Sequence, residues 1–331
     1  MFRKLALAGL AAAGLALPAA AQTFTPAVIF DMGGKFDKSF NEAAYTGAER
    51  FKKEAGTGYQ EFEVTNEAQR TQAMQRLARG AGSVPPASIV ICIGFAFGST
   101  LEAVAKEFPK TKFVIVDSVV EAPNVQSVVF REHEGSFLVG MAAGMASKTG
   151  KVGFVGGMDI PLIRKFYKGY EEGAQYVKKD TQVFMNMTGT TPSAWNDPTK
   201  GGELARSQFE RGADVVYAAA GATGLGVLQA AKDSGKLSIG VDSNQNHLHP
   251  GSVLTSMVKR VDVAVYNAMK SAKDGTWKGG VLSLGLKEDG VGYALDNNNA
   301  KLITADMKVK LDAARADIIA GKIKVTDVTA K

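Results

Sequence analysis

The 331-residue sequence predicts an α/β fold of two lobes, each built on a doubly wound parallel sheet. Three observations carry that prediction. Short apolar, β-branched runs alternate with helix-length segments along the chain, as they do in parallel sheets. The alternation restarts at Lys151, where a second strand runs into a glycine pair, Gly156-Gly157, as the first ran into Gly33-Gly34. Three of the runs end in aspartate, at Asp31, Asp117 and Asp242, on the edge where open α/β sheets hold ligands. The length suits two lobes of ordinary size, and 45% hydrophobic with 22% charged residues is the composition of a globular protein.

Ala27-Val28-Ile29-Phe30 reads as a buried first strand, and Glu42 to Phe51 as the helix after it. Between them lies Asp31-Met-Gly-Gly-Lys-Phe-Asp37-Lys-Ser-Phe40-Asn41. Its glycines let backbone approach a guest closely, Asp37 or Ser39 can cap the helix, and the carboxylates of Asp31 and Asp37, the ring of Phe40 and the amide of Asn41 are candidate ligand contacts. Strands follow at Tyr59–Val64, Ser88–Ile93, Lys112–Asp117 and Asn124–Phe130, with helices at Glu67–Arg79 and from after Thr100 to Phe108. Gly135 to Ser147 is a helix of small residues, suited to a lobe interface. In the second series, strands are expected at Lys151–Gly157, Gln182–Met187, Ala213–Ala219 and Leu237–Asp242. Helices are expected at Pro161–Val177, Gly201–Arg211 and from Gly221 to Ser234. A strand at Leu254–Val258, a helix at Val261–Ser271, two short strands within 280–286 and 291–295 and a helix at Ala305–Ala320 complete the chain. No low-complexity linker separates the halves, so the chain is expected to cross between lobes more than once. The expected division is 22–147 with 254–275 for the first lobe and 148–253 with 276–331 for the second.

Met1 to Ala21 stands apart. Arg3 and Lys4 precede an apolar stretch too short to span a bilayer, and Pro18-Ala-Ala-Ala21 follows. That is the grammar of a cleaved export signal. Cleavage would reduce 39 basic residues to 37 against 33 acidic, a net charge of +4. The surplus is dispersed, which argues against a nucleic-acid partner. Cys92 is the only cysteine and lies inside an apolar run, so stability must come from cores rather than disulfides. No cysteine stands at the cleavage site, so no lipid anchor is expected.

Each strand-end aspartate either caps the next turn or faces the cleft, where a carboxylate accepts two hydroxyl protons at once. Phe40 and Tyr217 are candidate rings, one per half, for sandwiching a planar base; the alternative for each is core packing. Lys259 beside Asp242 would make a pair able to hold a hydroxyl from both sides, unless it is a surface lysine. Gly221-Ala222-Thr-Gly-Leu-Gly226 has the wrong spacing for a dinucleotide loop, and reads as a helix start whose amides meet a hydroxyl or base edge. His247 and His249 could share a strand face near Asp242, but three histidines and no further ligand argue against a metal. No catalytic motif and no cofactor motif is present.

From Gly33-Gly34 through Asp37-Lys-Ser-Phe40-Asn41 the sequence resembles the basic membrane protein family, the purine-nucleoside type of ABC transporter substrate-binding protein. The resemblance continues through Gly94-Phe-Ala-Phe97, Phe113 to Asp117, Glu134-Gly-Ser-Phe137, Gly153 to Pro161, Gly240-Val-Asp242 and Leu254-Thr-Ser256. It implies a periplasmic-binding-protein type I fold closing by hinge motion over its ligand. Carried over, Phe40 and Tyr217 are the stacking rings, Asp31, Asn41 and Asp117 are polar contacts, and Asp242 with Lys259 holds the ribose. Two departures stand out: the second ring is a tyrosine, and the family's Gly-Gly-Thr is Gly221-Ala222-Thr223, placing a methyl where backbone should approach ligand. The expected protein is a non-enzymatic, monomeric periplasmic receptor. It would deliver a purine nucleoside, or a related molecule, to an ABC permease and ATPase. A sensor subunit docking to a membrane receptor, and an exported nucleoside hydrolase using Asp31 and Asp37, are the alternatives.

Overall fold

The structure, a computed structural model, describes residues 24–330, so the expected export signal at 1–21 lies outside the described residues. The first lobe holds β1 (Pro26–Phe30), α1 (Phe40–Ala55), β2 (Gln60–Glu63), α2 (Gln69–Arg79), β3 (Ile89–Ile93), α3 (Gly98–Glu107), β4 (Lys112–Val116) and β5 (Val125–Phe130). The chain then enters α4 (Glu132–Ala146) and the second series: β6 (Lys151–Met158), α5 (Pro161–Val177), β7 (Gln182–Gly189), α6 (Pro198–Glu210), β8 (Val215–Ala219), α7 (Thr223–Asp233), β9 (Leu237–Asp242) and β10 (Val253–Lys259). It ends with α8 (Val261–Lys273), β11 (Gly280–Leu284), β12 (Val291–Tyr293) and α9 (Ala305–Ile319).

The two sheets have matching orders, β2-β1-β3-β4-β5-β11 and β7-β6-β8-β9-β10-β12. All pairings are parallel except β10 with β12. In each, the strand order reverses beside the first strand, which opens a crevice at the carboxyl edge. Central strands are apolar along their whole length because helices cover both faces, so β1, β3 and β8 are buried throughout.

The lobe boundaries differ from the expected ones. β10 pairs with β9 in the second sheet rather than returning to the first. α8 packs against α1, where a methyl on Gly47 would strike the Asp262 carbonyl, so it belongs to the first lobe. β11 joins β5 in the first sheet, whereas β12 and α9 belong to the second lobe. α4 also packs with the second lobe, chiefly on α5, through glycines at 140, 169 and 173 that bring the two backbones into contact. Each lobe therefore borrows a crossing helix from the end of the other lobe's strand series. The chain crosses three times, after β5, β10 and β11. No helix among the described residues is long and apolar enough to cross a membrane.

Candidate functional site

The carboxyl edges of the two sheets face each other across a cavity of about 650 Å³, counting space open to solvent. From the first lobe it is lined by Asp31, Asp37, Phe40, Asn41, Phe95 and Asp117. The second lobe contributes Phe166, Trp195, Gly221, Asp242 and Lys259, with Leu162, Ile163 and Val241 as apolar wall.

The loop after β1 builds one end. Asp37 takes three backbone amides on its carboxylate, from Ser39 at 2.8 Å, Asn41 at 3.0 Å and Glu42 at 3.1 Å. Asp37 was expected as a ligand contact; its two oxygens instead start α1, so the helix-capping alternative describes it. Burial pushes its carboxyl up to about 7, against those same amides. Asn41 spends both amide hydrogens on the carbonyls of Asp31 and Gly34, at 3.2 Å each. This fixes its orientation and leaves Oδ1 buried without a partner. Asp31 receives Arg70 of α2, with Nη2 at 2.9 Å.

The other end is a buried ion network. Lys259, 2% exposed, contacts Asp117 of the first lobe at 2.6 Å and Glu132, at the start of α4, at 3.0 Å. Glu132 also holds Lys165 at 2.7 Å. Lys259 was expected to pair with Asp242. Among the described residues its ion partners are Asp117 and Glu132, because lobe closure brings the end of β10 over the end of β4. Burial opposes the charge on Lys259, but the carboxylates of Asp117, Glu132 and Asp242 outweigh it and hold the ammonium protonated. Phe40, Phe130 and Phe166 surround the ammonium, with ring centres 5.1, 5.0 and 5.5 Å away. The second oxygen of Asp117 is buried and unpartnered.

Asp242 instead accepts Ser39 Oγ at 2.6 Å across the gap. Ser243 Oγ donates to the Ser39 carbonyl at 2.8 Å, and Gln245 Nε2 to the Lys38 carbonyl at 3.0 Å. Asp117 and Asp242 share a left-handed backbone, φ +70° and +61°. That conformation costs a non-glycine residue about 1 kcal/mol and is found preferentially at functional sites.

Two expected contacts are corrected. Tyr217 is fully buried inside β8, with its ring packed on Phe154 and Tyr170 at 5.4 and 5.2 Å, and does not line the cavity. It shares a sheet face with Ala219, which reaches the cavity, but stands two residues back from the carboxyl end of β8, where that face is covered by core side chains. Ala222, the residue before α7, does not line the cavity, so its methyl does not intrude; Ala219, Ala220 and Gly221 form the wall there. The aromatic faces supplied by the second lobe are Phe166 and Trp195, and Trp195 meets Phe95 edge-on at 6.4 Å. Trp195 ends a 3₁₀ turn, Pro192–Trp195, whose Ala194 carbonyl accepts the hydroxyls of Thr223 and Thr188. Its ring lies where a side chain on Gly157 would stand. His247 sits in a 3₁₀ turn with Nδ1 3.1 Å from the Asn244 carbonyl, not on a strand. No cluster of three potential metal ligands occurs among the described residues.

Comparison with known proteins follows the same lines. A family model described as ABC transporter substrate-binding protein PnrA-like matches residues 24–329. The ABC transporter nucleoside-binding protein BmpA of Lactococcus lactis is 36% identical over 322 residues, covering 90% of this chain and 88% of that protein. An uncharacterized lipoprotein of Pyrococcus horikoshii is 39% identical over 278 residues, covering 81% of this chain and 68% of that one. The crystal structure of an ABC transporter solute-binding protein from Aeropyrum pernix superposes with a TM-score of 0.82 at 30% identity, covering 91% and 92% of the two chains.

Proposed function

This chain belongs to the Bmp family of PnrA-like ABC transporter substrate-binding proteins, and from that premise we propose that it captures a purine nucleoside, or a closely related molecule, between its lobes for an ABC importer. Members of this family are extracytoplasmic binding proteins rather than enzymes, and the proposed setting is the periplasm. The relative named as nucleoside-binding supports the ligand class.

One observation carries the reading: flat apolar faces and unsatisfied acceptors converge on the same cavity between the lobes. Phe40 from the first lobe and Phe166 and Trp195 from the second offer ring surfaces for a base. Stacking on such rings contributes roughly 1–3 kcal/mol per base in nucleic-acid proteins. Asn41 Oδ1 and Asp117 Oδ1 are buried acceptors without donors, and Lys259 and Asp242 stand beside Asp117. Asp31 follows β1 and Asp117 follows β4, with β3 between them. Two strand spacings put these poles about 10 Å apart. A base at the Asp31–Asn41 pole and a ribose at the Asp117–Lys259–Asp242 pole satisfy both. The hydrolase alternative would need Asp37 as a free carboxylate, and α1 already occupies it.

Isothermal calorimetry with adenosine, guanosine and inosine tests the proposal, with the free bases and ribose as comparisons. The expected result is tight one-to-one binding of at least one nucleoside and much weaker binding of ribose. Absence of heat with all three nucleosides refutes the ligand class.

A further inference from the structure

Arg70 takes no part in the family resemblance and does not line the cavity. It is nevertheless 8% exposed and aimed at a residue that does. Its Nε and Nη2 both reach Asp31 Oδ1, at 3.0 and 2.9 Å, and the Met32 amide adds a third donor to the same oxygen at 2.8 Å. All three converge on one side of the carboxylate. Oδ2 is left beside Gly94, where a side-chain carbon would come within 2.9 Å of it. Asn41 is fixed in the same sense, with both hydrogens committed and Oδ1 without a partner.

We infer that Arg70 is a specificity-determining positioning residue: by pinning Asp31 through one oxygen, it makes this end of the cleft acceptor-only, so the ligand edge it admits must bring N–H or O–H donors. The inference rests on the nucleoside reading and refines it to bases with a donor edge. A guanine-type edge, with a ring N–H beside an amino group, supplies donors for Asp31 Oδ2 and Asn41 Oδ1 together. An edge of carbonyls and unprotonated nitrogens would set acceptor against acceptor, leaving buried groups unpaired.

Without the guanidinium the balance reverses. The charged and titratable groups facing Asp31 are Arg70 and Glu67 from the α2 segment and Cys92 from β3. Burial already raises the Asp31 carboxyl, and Arg70 is the main opposing influence. An Arg70→Met protein therefore favours the neutral acid, whose O–H is a donor.

The test follows the Asp31 carboxyl by ¹³C NMR in ligand-free wild type, R70M and R70Q, with D31N identifying the signal. The titration midpoint is expected to rise by at least one pH unit in both variants and to return toward wild type in R70K. In parallel, guanosine affinity of R70M is expected to fall at least tenfold at pH 7 and recover as pH rises, a profile absent from wild type. Unchanged Asp31 titration in R70M and R70Q overturns the inference. If wild type binds no nucleoside, the functional reading fails, and the titration still decides the role of Arg70.

Discussion

Removing the Lys259 ammonium should damage the fold in a way the geometry makes calculable. Lys259→Met keeps most of the side-chain volume and deletes the charge. Glu132 keeps a cation, because Lys165 remains at 2.7 Å. Asp117 does not: its ion-pair partner among the described residues is Lys259, at 2.6 Å. Breaking a buried pair by deleting one partner costs about 3–5 kcal/mol, mostly the penalty of the stranded charge. At roughly 1–2 °C per kcal/mol for a chain of this length, the melting temperature should drop by about 5 °C. Asp117→Asn in the Lys259→Met background removes the stranded carboxylate and should restore more than half the loss. Urea unfolding of the wild type, both single variants and the double variant measures the cycle. A Lys259→Met protein within about 1 kcal/mol of wild type would refute the reasoning. So would a double variant no more stable than Lys259→Met alone.

Three further outcomes follow from the site. Phe40→Ala and Phe166→Ala should each weaken nucleoside binding by about 1–3 kcal/mol, whereas Tyr217→Phe should leave it unchanged; calorimetry compares them. Asp242→Ala should weaken nucleosides far more than free bases, and equal loss for both would place the ribose elsewhere. Asp37 makes stability fall as pH rises. Its folded carboxyl is raised to about 7 from 3.8, so the native state holds a proton that the unfolded chain releases. The contribution is present below about pH 4 and lost through pH 7, and thermal unfolding of wild type against Asp37→Asn across that window should show the difference.

Much of the fold was legible because buried parallel strands leave continuous apolar runs. β6, α5 and β9 stand where the sequence puts them, within a residue or two. Lobe membership was not legible at the ends. Whether β10, β11 or β12 joins one sheet or the other depends on pairing between residues far apart in sequence, and Gly280–Leu284 carries no mark of its distant partner β5. The cleft divides in the same way. Asp31, Phe40, Asn41, Asp117, Gly221, Asp242 and Lys259 carry signals of position at strand ends or helix starts, and all line the cavity. Phe166 shares a helix face with Ile163 and Tyr170, so it reads as core, and only its place at the gap distinguishes it. Glu132 and Arg70 look like solvated charge in their local sequence; the burial that gives them partners is tertiary. Trp195 did carry a signal, a large aromatic in a Thr-Pro-Ser loop with no local apolar neighbours to bury it. Tyr217 failed for a simple reason: it lies two residues short of the strand end, on the face of Ala219 but below the opening, where Phe154 and Tyr170 cover it.

Trp195 also offers the most direct test that a planar guest enters between the lobes. The sequence has two tryptophans, and Trp277→Phe leaves Trp195 as the sole indole reporter of the cleft. Titrating that variant with a purine nucleoside should change its fluorescence saturably, with the same midpoint as the calorimetric affinity. Calorimetric binding without any change at Trp195 would put the ligand elsewhere and contradict the account.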